Sequence, residues 1–525
     1  MPIKSVRYQN LRSLIDTGRV ELGPLNILLG RNGSGKSTFL RTFPLFRQSI
    51  RTPTTGPVLW YGPLVDMGSF GEAVHRGDDS VVLHFGFTLD RSALRLLRYR
   101  RSPGRLLQDL EVQVSLELVY HERTDATVAH RCQLSFEGAD IDLGFEGGAV
   151  SSFVVNGRDI LEEGVEYKVR QGRGLFPSIY PPQEADGSVY LRRDREVGLE
   201  KTLLTLLDGV FHGRTLRDRR REVIRELGVG SPERMHQNLR GAQSDYWQRQ
   251  VDGLSQTRLR EVRDLTLALG TPLLLSLLDG EAVESFADVS YTNPLRAAAE
   301  RYYRRQNLAV GEVDPQGTNL AVFLRSLSAR EREQFTNWTE EHLGFAASTS
   351  VDGGHVSIEI EEGGERFNLA DMGFGFSQIL PVVTQAWARV YKPQRRQDLY
   401  SPSGTAPLVL AIEQPELHLH PALQARFGDL LVSVIKAARD AGVRPIILVE
   451  THSEALVGRI GNRVAVGIDV FPDDVKVLLF EGGGDSEQVV QQTEFDSRGL
   501  LKNWPLGFFD PDPIRIESAP TPTSE

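Results

Sequence analysis

Nine consecutive residues, Gly30-Arg31-Asn32-Gly33-Ser34-Gly35-Lys36-Ser37-Thr38, have the types and spacing of an anion cradle. The glycines let successive backbone N–H groups turn toward one point. The segment that follows, Thr38-Phe39-Leu40-Arg41-Thr42-Phe43, is compatible with a helix whose N-terminal dipole adds to the same field. In such a loop Lys36 reaches the β- and γ-phosphates of a nucleotide and Ser37 can ligate magnesium. A glycine-rich turn with a solvated lysine is the plainer alternative. The apolar run Leu25-Asn26-Ile27-Leu28-Leu29 just upstream favours the cradle, because it supplies the buried strand that the arrangement requires.

The second half of the chain holds groups that could act on a bound phosphate. Leu408–Ile412 reads as an apolar strand ending in Glu413, which would place a carboxylate beside a metal at the strand's C-terminal edge. Gln414-Pro415-Glu416-Leu417-His418-Leu419-His420-Pro421 follows, and a second apolar strand, Ile446–Val449, ends in Glu450-Thr451-His452-Ser453. Glutamine at 414 can position a water but cannot take its proton, so Glu416 is the nearest candidate general base. Upstream, Gly373 and Gly375 in Asp371-Met372-Gly373-Phe374-Gly375-Phe376-Ser377 open an apolar helix and would form a second anion-binding N-terminus. No Cys, His or Asp cluster accompanies His418 and His420, which read as structural residues rather than metal ligands.

The elements that must position these groups are split along the chain. Residues 1–80 read as the first half of the phosphate-binding fold, in which residues 1–30 form an antiparallel pair feeding the loop strand, and 81–180 as an antiparallel β lobe with a hairpin turn at Asn156-Gly157. A loop beginning at Pro181-Pro182 opens a helical insertion over 181–345. From about 405 strand and helix alternate, which predicts a parallel sheet with helices on its faces within a second half spanning 346–510. Residues 511–525 have nothing to bury and are expected to be disordered. The fold class predicted is α/β.

Bulk properties narrow the function. With 525 residues, 40% hydrophobic and 25% charged, the chain reads as a globular protein of two to four lobes, and no apolar run is read as long enough to span a bilayer. The N-terminus lacks the pattern of a signal peptide, so the expected location is the cytoplasm and no membrane partner is expected. A single cysteine, Cys132, excludes an internal disulfide framework. The net charge of −10 argues against coating nucleic acid. Local contact through Arg91–Arg105 or Arg214–Arg225 stays open, though a solvated helix face explains either segment as well.

The loop at 30–38, the acidic strand with Pro415-Glu416 and His420-Pro421, and the strand ending in Thr451-His452-Ser453 together resemble the ATP-binding-cassette heads of the SMC, RecF and overcoming-lysogenisation-defect ATPases. The resemblance implies that Ser37 and Glu413 hold Mg2+ beside ATP, with Glu413 replacing a more usual Asp. Gln414 falls where many relatives carry the catalytic Glu, which implies slow turnover. His452 matches a switch histidine that senses the γ-phosphate, and His420 falls in the loop that crosses between subunits. Gly373, Gly375 and Ser377 occupy the place of a signature loop that faces ATP held by a partner subunit, which implies a homodimer or higher even oligomer. The chain is also similar to bacterial anti-phage defence ATPases such as the Septu type, at Arg47-Gln48-Ser49, Met67-Gly68-Ser69-Phe70, Asn293-Pro294-Leu295-Arg296, Glu300-Arg301-Tyr302-Tyr303 and Asn503–Asp510. That likeness implies a nucleotide-driven switch working with a separate nuclease. A scaffold with negligible hydrolysis and a RecF-like repair ATPase are the alternatives. Glu481-Gly482 resembles the start of a Toprim nuclease but lacks its following Asp-x-Asp strand, so it reads as a turn.

Overall fold

The computed structural model describes residues 3–89, 109–172, 174–181, 198–212, 214–226, 232–241, 245–306, 308, 310–392, 406–480 and 490–503. The Arg91–Arg105 segment, most of the 181–187 loop, the Glu481–Gly484 turn, the Trp504–Asp510 stretch and the 511–525 tail lie outside these residues.

An antiparallel sheet forms the first layer. Its strands are β1 (Ser5–Leu11), β2 (Leu14–Asp16), β3 (Val20–Glu21), β5 (Ser80–Leu89), β6 (Leu110–His121), β7 (Ala126–Phe136), β8 (Ala139–Glu146), β9 (Ala149–Val155), β10 (Arg158–Asp159), β11 (Lys168–Gln171) and β12 (Pro177–Tyr180). The expected β lobe therefore exists but is not separate, because β1 pairs with β5 and draws the N-terminal residues into the same sheet.

The second layer is the predicted parallel sheet. Its strands are β4 (Leu25–Gly30), β13 (Ser290–Thr292), β18 (Leu408–Glu413), β19 (Pro445–Glu450), β20 (Val475–Phe480) and β21 (Val490–Glu494), in the order β13-β18-β19-β4-β20-β21. Only β21 runs antiparallel to its neighbour. The strands are apolar on both faces because both are covered. Leu28, Val409, Ala411, Ile446, Leu448 and Leu478 join the core that includes the antiparallel sheet. Leu25, Ile27, Leu29, Leu408, Leu410, Ile412, Ile447, Val449 and Val477 face the C-terminal helices. Register brings the ends together: Glu413 lies opposite Glu450, Glu450 opposite Leu28, and Gly30 opposite Phe480.

The region read as one helical insertion is two structures. The helices from Gly198 to Phe286 pack on the first core, whereas Leu320–Ser326 and Ala329–Leu343 belong to the second, beside a small antiparallel sheet of β14 (Tyr303–Arg304), β15 (Ala346–Asp352), β16 (His355–Glu362) and β17 (Glu365–Asn368). The 31-residue helix Gln256–Phe286 is, against the sequence reading, long and apolar enough to cross a bilayer. It is used otherwise here: Leu265, Leu274, Leu275, Leu278 and Phe286 lie in the first core.

The helix Lys36–Arg51, which follows the glycine-rich loop, is seated by aromatic rings. Phe46 meets Phe286 at 4.9 Å and Phe85 at 5.5 Å, and Phe43 meets Phe286 at 5.7 Å, all edge-on. Phe39 meets Phe480 of β20 at 5.6 Å. Phe286 thus ties the long helix to the helix behind the glycine-rich loop. Replacing it, as Phe286→Ala, is expected to lower unfolding stability by about 3–5 kcal/mol through the cavity left behind, read from urea unfolding midpoints.

Candidate nucleotide site

The glycine-rich loop has the backbone that its residue types predict. Gly33 and Gly35 adopt φ of 76° and 100°, the left-handed region that L side chains rarely occupy. A Cβ at Gly35 would stand 2.5 Å from Leu14 Cδ2, and one at Gly30 would stand 2.5 Å from the Phe480 carbonyl oxygen. Arg31, Asn32 and Gly33 are exposed at the tip, and Thr38 is half-buried in the first helical turn. Gly35 caps the helix with no side-chain hydrogen bond, and no acidic residue stands in the first turn. Those N–H groups therefore have no carboxylate neighbour of their own helix to answer them. Lys36 is 3% exposed, and its Nζ donates to the carbonyl oxygens of Gly30 at 3.0 Å and Arg31 at 2.7 Å. Burial holds the ammonium below its ordinary pKa, opposed by the negative charges of Glu450 and Glu416.

Ser37 meets a carboxylate, but not the one that the sequence reading pairs with it. Its Oγ donates to Glu450 Oε1 at 2.9 Å. Glu413 instead accepts from Arg41: Nε to Oε1 at 2.7 Å and a terminal nitrogen to Oε2 at 2.8 Å. The Tyr291 hydroxyl donates to the same Oε1 at 2.6 Å. The spacing has a simple origin. Ser37 and Arg41 lie four residues apart on one helix face, about 6 Å along the axis, and the paired ends of β18 and β19 are about 4.8 Å apart. One helix face therefore reaches both strand-end glutamates. Hydrogen bonding to Glu413 raises the Arg41 pKa, and burial raises that of Tyr291.

Arg296 secures the turn after β18. It is 5% exposed and donates to the carbonyl oxygens of Glu413 at 2.7 Å, Gln414 at 3.3 Å and Gln378 at 3.3 Å. Burial lowers its pKa to about 10. Arg47 pairs with Glu312 through two 2.5 Å hydrogen bonds and donates to the Val289 carbonyl at 2.7 Å, which anchors the connection into β13.

Gln414 sits at φ 41°, an uncommon conformation for a non-glycine residue, and its N–H donates to the Glu450 carbonyl at 2.8 Å. The turn brings Glu416 back across the sheet edge, where its Oε1 accepts from the His452 N–H at 2.7 Å. Burial raises the Glu416 pKa, and burial followed by the Lys36 charge lowers that of His452. Glu416 Oε2 and Glu450 Oε2 are buried with no hydrogen-bond partner among the described residues. Lys36, Ser37, Glu416, Glu450 and His452 thus gather at one edge, with Glu413 directly beside them.

The remaining candidates sit differently. His420 accepts from the Ala422 N–H at 3.3 Å as the cap of helix Pro421–Asp440, and His418 packs edge-on against Phe374 at 4.8 Å. No cluster of three or more His, Cys, Asp or Glu side chains suited to a metal occurs among the described residues. Gly373 precedes helix Phe374–Tyr391 and is exposed, whereas a Cβ at Gly375 would stand 2.7 Å from the His418 carbonyl oxygen. Buried Ser377 donates to the Phe374 carbonyl at 2.7 Å. In the second Arg-rich segment, Arg220 is held by Asp208 at 2.5 Å and lies over the Phe211 ring. Sequence reasoning missed the roles of Arg41, Tyr291 and Glu450; the four-residue spacing of Ser37 and Arg41 was the available signal.

Residues 203–458, just under half of the chain, match the family described as "AAA domain, putative AbiEii toxin, Type IV TA system". A search of curated proteins gives no match. Among solved structures, the Smc head domain with an extended coiled coil bound to the C-terminal domain of ScpA, from Pyrococcus furiosus, aligns with a TM-score of 0.35 and 11% identity, over 94% of this chain and 96% of that one. The SMC head domain from Thermotoga maritima aligns with a TM-score of 0.33 and 10% identity, over 94% of this chain and 100% of that one. The family match supports a nucleotide-binding ATPase.

Proposed function

We propose that the chain binds Mg-ATP in the Gly30–Thr38 loop, hydrolyses it slowly, and acts as a nucleotide-driven switch between separated and paired chains. The observation that carries this reading is the convergence of Lys36, Ser37, Glu416, Glu450 and His452 at the C-terminal edge of a parallel sheet, where α/β proteins bind ligands. The site suits a cationic group: two buried carboxylate oxygens have no hydrogen-bond partner among the described residues, at a cost of several kcal/mol each when charged. Magnesium, when bound, would neutralise phosphate charge there, and Ser37 with the strand-end carboxylates Glu413 and Glu450 are the residues at hand to hold it.

In hydrolysis a water oxygen bonds to the γ-phosphorus while the bond to the bridging oxygen breaks, giving ADP and phosphate. Glu416 is the group that takes the water proton, since Gln414 cannot. Its buried, raised-pKa carboxyl suits that task. His452 would report the γ-phosphate, with Lys36 neutralising it from the other side. Gly373, Gly375 and Ser377 of a second chain would complete the site in a head-to-tail dimer, so that one γ-phosphate fills two anion sites and closes the pair. The family match, whose description names a toxin of a type IV system, supports bacterial defence over repair. A separate nuclease as the effector belongs to the same reading through the sequence resemblance alone. Gln414 supports a second reading, a scaffold in which bound ATP licenses assembly without turnover.

Two variants test this. Lys36→Ala is expected to abolish binding of a fluorescent ATP analogue. Glu416→Gln is expected to keep that binding while phosphate release falls about 100-fold or more. Equal phosphate release from the wild type and Lys36→Ala would end the enzyme reading and leave the scaffold.

A further inference from the structure

The two strand-end glutamates stand side by side, yet their oxygens are used differently. Both oxygens of Glu413 are engaged, by a two-pronged Arg41 guanidinium and by the Tyr291 hydroxyl, and the residue is 1% exposed. Such charge-assisted pairs are strong, so a cation reaching Glu413 must displace a guanidinium already seated in ideal geometry. Glu450 is 3% exposed and accepts through one oxygen only, from Ser37 Oγ. Its other oxygen is buried and has no partner among the described residues. An unpaired carboxylate oxygen in that setting must acquire either a proton or a cation. Ser37 is the hydroxyl that a phosphate loop offers to magnesium, and magnesium is commonly held through one or two carboxylates, waters and the phosphates themselves. Strand order explains why Glu450 is nearer: β19 lies between β18 and β4, so its terminal residue adjoins the phosphate loop and Glu413 stands one strand further away.

We propose that Glu450, at the end of the strand between the phosphate-loop strand and the acidic strand, is the carboxylate that faces the divalent cation of Mg-ATP. Glu413 is then a positioning residue that fixes Arg41 and Tyr291. This rests on the ATP reading above and replaces the assignment of the cation to Glu413.

The test separates nucleotide from metal. Binding of a fluorescent, nonhydrolysable ATP analogue is measured in EDTA, and Mn2+ binding to the protein–analogue complex is followed by electron paramagnetic resonance. In the full chain, Glu450→Gln is expected to weaken Mn2+ at least about tenfold while analogue binding in EDTA does not fall, because the amide oxygen can still accept from Ser37 and a negative charge beside the phosphates is gone. Glu450→Asp, which keeps the charge, is expected to retain more Mn2+ affinity than Glu450→Gln and serves with Ser37→Ala if the amide variant does not fold. Glu413→Gln is expected to lower the thermal midpoint with a smaller effect on Mn2+. The proposal is overturned if Glu450→Gln binds Mn2+ as the wild type does, or if Glu413→Gln alone loses it. A wild-type chain that binds no analogue, with or without metal, overturns the ATP reading itself and the inference with it.

Discussion

A carboxylate shut away from water at the end of β18 holds the site together. Glu413 is sealed by Arg41 from the helix after the glycine-rich loop and by Tyr291 from the edge strand β13. An ion pair this buried is costly to desolvate and is tolerated only when its geometry is satisfied, so it stabilises little but admits few alternative arrangements. Three segments hundreds of residues apart are thereby brought to one register. Because Arg41 is fixed on β18, Ser37 one turn earlier falls on β19, and the loop before it opens over the sheet edge. Phe39, Phe43 and Phe46 secure the opposite face of the helix, which leaves it little freedom to roll.

Charge explains why such a site should take a polyanion together with a cation. Lys36, Arg41 and Arg296 are answered by Glu413, Glu416 and Glu450, so the edge is close to balanced by itself. Lys36 is paired with loop carbonyls rather than with a carboxylate. A triphosphate can therefore engage it by displacing neutral acceptors, which is far less costly than breaking a buried ion pair. The added negative charge would lie beside Glu416 and Glu450, and a divalent cation is what makes that neighbourhood tolerable.

The parts legible in the sequence were those written locally. The loop at 30–38 declares itself by glycine spacing and a preceding apolar run, and β18, β19 and β20 by continuous apolar residues that two covered faces require. The pairing of Glu450 with Ser37 was not local, because it depends on β19 lying between β18 and β4 in space. Tyr291 was hidden for another reason: β13 is three residues long, too short for any periodicity to mark it as a strand. The small sheet containing β15 and β16 was not anticipated: it lies at the start of the half read over 346–510, ahead of the strand–helix alternation that begins near 405, and the polar face of β16 carries His355, Glu359 and Glu361. The long helix Gln256–Phe286 was misjudged because polar residues interrupt an otherwise apolar surface that a large core absorbs.

The turn from Gln414 to His420 is the segment through which events at the phosphate could reach the molecular surface. Its first residue is held by the Glu450 carbonyl, and its middle, through Glu416, by the backbone of His452. Its far end presses the His418 carbonyl against Gly375 and the His418 ring against Phe374. Phe374 is 49% exposed at the start of helix Phe374–Tyr391. A shift of Glu416 or His452 on meeting a γ-phosphate would be passed along this turn by contact, since no glycine lies between 414 and 420 to absorb it. Arg296 grips the same turn from behind at two carbonyls and so limits the movement to its outer half. In the proposed cycle, that outer half is what would align Gly373 and Phe374 with a second chain when ATP is present and release them after it is gone.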